Sequence, residues 1–393
     1  MISLGNIRPA WVEVDLEAIS HNIAQFRERC GSGVSIMAVV KADAYGHGAV
    51  EVARTSIEAG ADRLGVAILD EAVHLRRAGL AAPILVFGYT PEGQAESVVK
   101  YDISQAVWTP SLAVAMLEAG RKVGKPAKIH LKIDTGMSRV GARGGEEVAA
   151  VARALKRAGC EGVEGTFTHF PAADTDPAFT EHQFASFMET VDQICGEGLS
   201  PGILHCCNSA ALLAYPQFHL DMVRPGIALY GYPPVPWKGL RTALTLRAKL
   251  SHVKRISRGT TVGYGRTFTA AGDNTIVGTV PVGYADGYRR HLSNVGEVSY
   301  RGVRVPVVGR VCMDQFMVDL SLAPGARAGD EVVLIAGPAP DAEEIASRVG
   351  TISHEVLTGL SPRLPRVYRK GPHIYMLDEK GDRADVMCDP SDR

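Results

Sequence analysis

Two lysines and two arginines stand beside apolar runs of this chain, and their placing suggests chemistry on a small anionic molecule. In VVKADAYGHG (39–48), Lys41 directly follows a strand-like run with no charge of its own. An amine drawn out of water there loses basicity and becomes a candidate Schiff-base former, although a lysine in a strand-to-helix loop can equally be solvated. HLKIDTGMSRVG (130–141) carries Lys132 inside an apolar run, where a cation needs a partner or must lose its charge. The same stretch makes an Asp134-Thr135-Gly136 turn with Arg139 just beyond it, and the planar fork of an arginine suits a carboxylate. HCCNSAA places Asn208 and Ser209 after another run, and VRPGIALYG places Gly226 and Ile227 at a helix start after Arg224. A hydroxyl, a glycine that lets the backbone come close and a helix N-terminus together suit a phosphate. His169, in THF, ends a further run, where a single histidine is more often a packed core residue than a catalytic one. Tyr264 stands between two glycines in VGYGRTF (262–268), and PVGYADGY (281–288) and GRVCMDQF (309–316) add Tyr284, Met313 and Asp314. No HExxH, paired CxxC, Walker-type loop or GxSxG occurs, so no metal site is expected.

The elements that must position these residues fall into two kinds. Up to about residue 230, VSIMAVV, RLGVAIL, PILVFG, ISQAV, KIHLKI, VEGTF and ILHCC read as buried strands, with amphipathic stretches between them. The first amphipathic stretch starts at Asp15, a capping residue, and lines up Leu16, Ile19, Ile23, Phe26 and Cys30 at helical spacing. Strand–helix alternation implies parallel strands. VRPGIALY (223–230), read as an eighth strand, makes a (β/α)8 barrel of TIM type the economical closure, with a doubly wound open sheet as the other solution. In a barrel the C-terminal strand ends line the active-site mouth, which is where Lys41, the Asp134 turn and Ser209 fall. GYPPVPWKG (231–239) reads as a hinge. After it LRAKLSHVKRI, TIVGTVPVG, VRVPVVGR, FMVDL, EVVLIAG and RVYRK read as strands, with one helical insert, DAEEIASRVG (341–350). The expectation is an α/β barrel over residues 1–235 followed by a mainly β domain over 236–393.

Composition excludes several other functions. The 42 Lys+Arg against 43 Asp+Glu leave a net charge of -1, without the basic footprint of a nucleic-acid binder. No apolar run reaches the roughly 18 residues of a membrane span, and 46% hydrophobic residues suffice for a large core. Seven scattered cysteines without a CxxC pair fit free thiols in a reducing, cytoplasmic setting.

Taken together, these segments resemble the alanine racemase family of pyridoxal-phosphate enzymes, from WVEVDLEAISHN (11–22) to PRLPRVY (362–368). The resemblance implies a barrel followed by a β domain, and a head-to-tail homodimer with shared active sites. It implies that Lys41 holds the cofactor, that Tyr45, Ser209, Gly226 and Ile227 surround its phosphate, and that Arg224 faces its ring nitrogen. Arg139 would meet the substrate carboxylate, with Lys132 as a carbamate orienting it. Tyr264, from the partner subunit and with His169 nearby, would be a second base beside Lys41. Asn208 would support the phosphate loop, while Tyr284, Met313 and Asp314 would line the substrate entrance. The chain departs from the family at His354, where a tyrosine is common beside the cofactor phosphate; a smaller ring there could admit serine. A serine or broad-specificity racemase is therefore the alternative, followed by a barrel-type decarboxylase or a carrier of the cofactor without turnover. The resemblance implies a supply of D-alanine for the cell wall or of L-alanine for catabolism.

Overall fold

A computed structural model describes residues 2–3, 7–377 and 382–387. Cys388 therefore lies outside the described residues; the other six cysteines are free thiols. The chain folds into two compact units. One comprises Ala18–Ala44 and Ala49–Arg241; the other comprises the described residues of Met1–Glu17, Tyr45–Gly48 and Thr242–Arg393.

The first unit is the barrel. Its parallel strands Ser35–Val39, Arg63–Val66, Ile84–Val86, Ser104–Val107, Lys128–Lys132, Gly165–Phe167 and Ile203–His205 pair in sequence order. Met222–Val223 joins the first of them, with Met222 opposite Ser35. The remaining seam is bridged by Asp221 N donating to Leu204 O (3.1 Å) and Leu204 N donating to the Asp221 carboxylate (2.7 Å). The barrel is thus nearly closed. The eighth run is shorter than its sequence suggests: only Met222–Val223 is strand, and Ile227–Tyr230 is a 3-10 turn begun by Gly226. Pro225 and Gly226 account for this, since a proline has no N–H for a ladder and a glycine favours a turn.

Helices fill the crossovers where caps permit. Asp15 accepts from Glu17 N (3.0 Å) at the start of Leu16–Cys30, and Leu16, Ile19, Ile23 and Phe26 are fully buried along its stripe. Thr109 caps Pro110–Val123, which ends on the left-handed Gly124 (φ 73°). Inside the barrel, Met37, Leu85, Ala106, Phe167 and Met222 pack as one core.

The second unit is mainly β. Leu244–Lys249 alternates buried and half-buried residues, as a strand with one solvated face must. It pairs antiparallel with Glu331–Ile335 on one side and with Ala10–Asp15 on the other; Ala10–Asp15 also runs parallel to Arg366–Lys370. LRAKLSHVKRI is two strands rather than one, because Ser251 turns the chain; His252–Ile256 pairs instead with Thr275–Val280. Ala342–Val349 is the expected helical insert, capped by Asp341 and closed by Gly350 at φ 75°, but it is not alone: Ser353–Thr358 is a second helix.

Candidate active site

In the barrel unit the site begins at Lys41, at the C-terminal end of Ser35–Val39. The four residues after it, Ala42 to Tyr45, all have left-handed backbone, with φ between 52° and 54°. None is glycine, and each such residue costs about 1–2 kcal/mol, so the surroundings must hold the turn. Glu71 does much of this, accepting from Ala42 N (2.6 Å), Ala67 N (2.8 Å) and Ile68 N (3.3 Å). Asp43 accepts from Ala49 N at 2.7 Å. Burial lowers the basicity of the Lys41 amine, and the Arg139 charge lowers it further; Glu71 only partly restores it.

Lys132 ends the strand Lys128–Lys132 and is 4% exposed. Burial, followed by the Arg224 charge, brings its pKa down from 10.5 to about 7. The loop beyond is folded by Asp134, whose carboxylate accepts from Gly136 N and Ser138 N, both at 3.0 Å. Burial would raise that carboxyl, but these two bonds outweigh it and hold the group below its usual range. Gly141 (φ 128°) lets the loop return, because a Cβ there would lie 2.8 Å from Asp134 N. Arg139 is presented on this loop, exposed.

Arg224 is buried, and burial brings its guanidinium down to about 10. Its Nη2 donates to Thr168 O (2.8 Å) and Cys206 O (3.1 Å), and its Nη1 to His205 Nδ1 (2.9 Å). His169 is held neutral, well below the usual imidazole value, by burial and then by Arg224, Arg139, Lys132 and Lys41. That histidine thus senses all four cations. Ser209 Oγ accepts from Gly226 N (2.9 Å) and Ala228 N (3.3 Å), so two strand ends and a turn start converge on one hydroxyl. Asn208 caps Ser209–Ala214 through Ala211 N (3.0 Å) and donates to Phe170 O (2.9 Å).

The second unit, described by itself, holds the other residues that the resemblance singles out. Burial pushes the Tyr45 phenol up, which keeps it a neutral O–H at ordinary pH. Its ring lies 5.8 Å from that of His354, in Ser353–Thr358. Gly46 permits this packing: at φ 82°, a Cβ would meet Leu357 O at 2.4 Å. Tyr264 is 72% exposed between Gly263 (φ 73°) and Gly265 (φ 70°). A Cβ on Gly263 would come within 3.0 Å of Met317, and one on Gly265 within 3.3 Å of the Arg310 guanidinium. Tyr284, Met313 and Asp314 form one cluster, joined by Tyr284 N to Cys312 O (3.1 Å) and Ala285 N to Met313 O (3.0 Å). Buried Asp286 braces it, taking both Arg8 nitrogens (2.6 and 2.7 Å) and Gly283 N (3.0 Å).

A family model for the alanine racemase N-terminal domain matches residues 14–234, and one for its C-terminal domain matches 243–368. The chain belongs to the alanine racemase family. An alanine racemase of Desulfovibrio desulfuricans is 46% identical over 92% of this chain and 98% of its own length. One of Desulforamulus reducens is 45% identical over 92% and 99%. Among solved structures, the Bacillus anthracis alanine racemase with bound L-Ala-P superposes with TM-score 0.87 at 37% identity, covering 94% of this chain and 97% of that one. The Streptomyces coelicolor alanine racemase gives TM-score 0.87 at 39% identity, covering 92% and 98%.

Sequence reasoning had not singled out Glu71, Asp286, the buried His130 and His205, or the half-buried Glu164. His130 had a signal: it lies two residues before Lys132, on the same face of one strand, and a period-two polar pair inside an apolar run is as conspicuous as the lysine alone. Glu71 and Asp286 act through backbone N–H groups, and no side-chain pattern announces that.

Proposed function

We propose that this protein is a pyridoxal-phosphate-dependent alanine racemase that works with two bases, Lys41 and Tyr264. The observation that carries the reading is the imbalance of charge at the barrel mouth. The charges of Lys41, Lys132, Arg139 and Arg224 all act on His169. Glu71 and Asp134 are the acidic groups that act on these lysines. Such a site favours an anion, and pyridoxal phosphate and an amino-acid carboxylate are both anionic. The donors fit as well: in the barrel unit the Ser209 hydroxyl, whose oxygen takes the Gly226 and Ala228 amides, keeps its own proton for a phosphate, and in the second unit Tyr45 keeps a neutral hydroxyl. Ile227 opens the turn there, and His354 lies beside Tyr45.

Lys41 would hold the cofactor, which supplies the electron sink when bound. Its lowered basicity leaves a larger free-amine fraction for that bond and, once displaced, for taking or returning the α-proton of D-alanine. Tyr264 serves the opposite face, that of L-alanine. A base needs shelter from water, and a tyrosine 72% exposed on one chain gains it when a second copy supplies the other half of the site. This favours the head-to-tail homodimer, with Tyr284, Met313 and Asp314 at the substrate entrance. Arg139 binds the carboxylate by its fork. Arg224 would stand at the ring nitrogen as a cation, where it would disfavour protonation and so favour proton return over decarboxylation.

An amine with a pKa of about 7 is substantially unprotonated near neutrality and can add to carbon dioxide. The Lys132 nitrogen forms the C–N bond, a proton leaves, and the resulting carbamate faces Arg139 and Arg224. Among the described residues no helix is long and apolar enough to cross a membrane. The relatives are named alanine racemases, and those names do not favour the serine alternative. The test is to give the purified protein pyridoxal phosphate and each enantiomer of alanine and of serine, and to follow enantiomeric composition and carbon dioxide. Alanine interconverted both ways without gas supports the reading; carbon dioxide release, or turnover of serine alone, overturns it.

A further inference from the structure

A polar column, buried at its two histidines and half-buried at Arg63 and Glu164, runs through the barrel. Arg224 Nη1 donates to His205 Nδ1 at 2.9 Å, and His205 Nε2 lies 2.9 Å from His130 Nδ1. His130 Nε2, which makes no hydrogen bond, lies 3.5 Å from a Glu164 oxygen that accepts from Ser104 Oγ (2.5 Å); the other oxygen takes Arg63 Nη1 (2.6 Å). Both histidines are fully buried. Arg63, Ser104 and Glu164 sit at or just before the N-terminal starts of their strands, whereas His205 and Arg224 lie at C-terminal ends. The column therefore joins the end of a barrel usually given to stability with the end given to chemistry. Apolar side chains would fill this core at lower desolvation cost. The fold instead makes room for the column: a Cβ on Gly165 would lie 2.4 Å from His130 Nδ1, and Phe167 stacks on His205 at 4.8 Å and 6°.

The donors dictate the protons. A guanidinium only donates, so His205 Nδ1 must accept and its proton sits on Nε2. That N–H makes His130 Nδ1 an acceptor, so the His130 proton also sits on Nε2, facing a group that must accept. A carboxylate does. We propose that Glu164 is a positioning residue for Arg224, setting through the tautomers of His130 and His205 the orientation of the guanidinium that faces the cofactor ring. The cofactor half of this inference rests on the racemase reading; the tautomer half does not.

E164Q should invert the column. With its carbonyl retained by Arg63, the new amide presents N–H to His130 Nε2, which moves both ring protons to Nδ1 and sets His205 N–H against Arg224 N–H. The experiment uses full-length protein with ¹⁵N-labelled histidine, with and without pyridoxal phosphate, read by two-bond ¹H–¹⁵N correlation and assigned by single-histidine substitutions. Wild-type protein should show His130 and His205 neutral and protonated on Nε2 in both forms. E164Q should shift both to Nδ1, alter the cofactor absorption band and lower kcat by about tenfold at little change in KM, the scale of one displaced hydrogen bond. E164D, which keeps the charge, should keep the wild-type tautomers and band. A proton on Nδ1 of either ring in the wild type overturns the inference, even if E164Q fails to fold. So does an E164Q protein with wild-type tautomers and band, or an E164D protein that behaves like E164Q. Protein that takes up no pyridoxal phosphate refutes the racemase reading, while the tautomers still decide whether the column is wired as stated.

Discussion

The barrel mouth and the tyrosine turn of the β unit represent two ways of holding a reactive side chain. In the barrel, Lys132 and Arg224 are enclosed by strands, and burial changes their chemistry: one amine falls to about 7 and one guanidinium to about 10. Tyr264 is instead carried outward on two left-handed glycines, its ring 72% exposed. The first region is tuned by its own chain. The second is aimed by its chain, and its tuning is left to whatever covers it. A base on each region therefore suits a reaction whose two halves are distinct, with one face of the substrate served from within and the other from outside.

The largest break should come from K41A. It removes the cofactor bond and one base together, so the protein should lose both the bound-cofactor absorption band and racemisation in either direction. A K41A protein that kept the band would move the site elsewhere. Y264F should keep the band and lose roughly 10²–10⁴ in rate, the usual worth of a general base. R139K is expected to be milder: a point charge replaces a fork, so KM for alanine should rise by about tenfold with kcat less affected. An unchanged KM would remove Arg139 from the carboxylate. The smallest effect, and the one that best sharpens the contrast, concerns stability. Lys132 titrates at about 7 when folded against an ordinary 10.5, so between those values the unfolded chain holds more protons. Its burial therefore destabilises the fold fully below pH 7, and the penalty fades as pH rises towards 10. In buffer free of carbon dioxide, K132M should melt above the wild type at pH 6, with the difference closing by pH 10. A pH-independent difference would mean that the amine is not forced neutral.

Much of this was legible in the residues. Lys41 after a run without charges, Lys132 within one, and Tyr264 between glycines each stand out because their placing is costly unless used. The strand at Ala10–Asp15 was not legible. Read locally, WVEVD runs into the helix that Asp15 caps, and only its pairing with Leu244–Lys249 and Arg366–Lys370, more than 200 residues away, makes it a strand. VRPGIALY failed for the opposite reason: its β-branched and aromatic content suggests a strand, while Pro225 and Gly226 end the ladder after two residues. The left-handed turn at Ala42–Tyr45 has no signal at all, because ADAY contains no glycine; Glu71 and Asp43 hold a backbone that those residues would not choose.

The division of labour between the two regions is tested most directly by proton exchange in heavy water with cofactor-loaded wild-type and Y264F protein. Wild-type protein should convert L-alanine into D-alanine deuterated at Cα, without carbon dioxide or pyruvate. Y264F should still wash deuterium into D-alanine through Lys41, without inversion, and leave L-alanine unlabelled. Equal labelling of both enantiomers by Y264F, or full racemisation, would contradict the assignment of one base to each region.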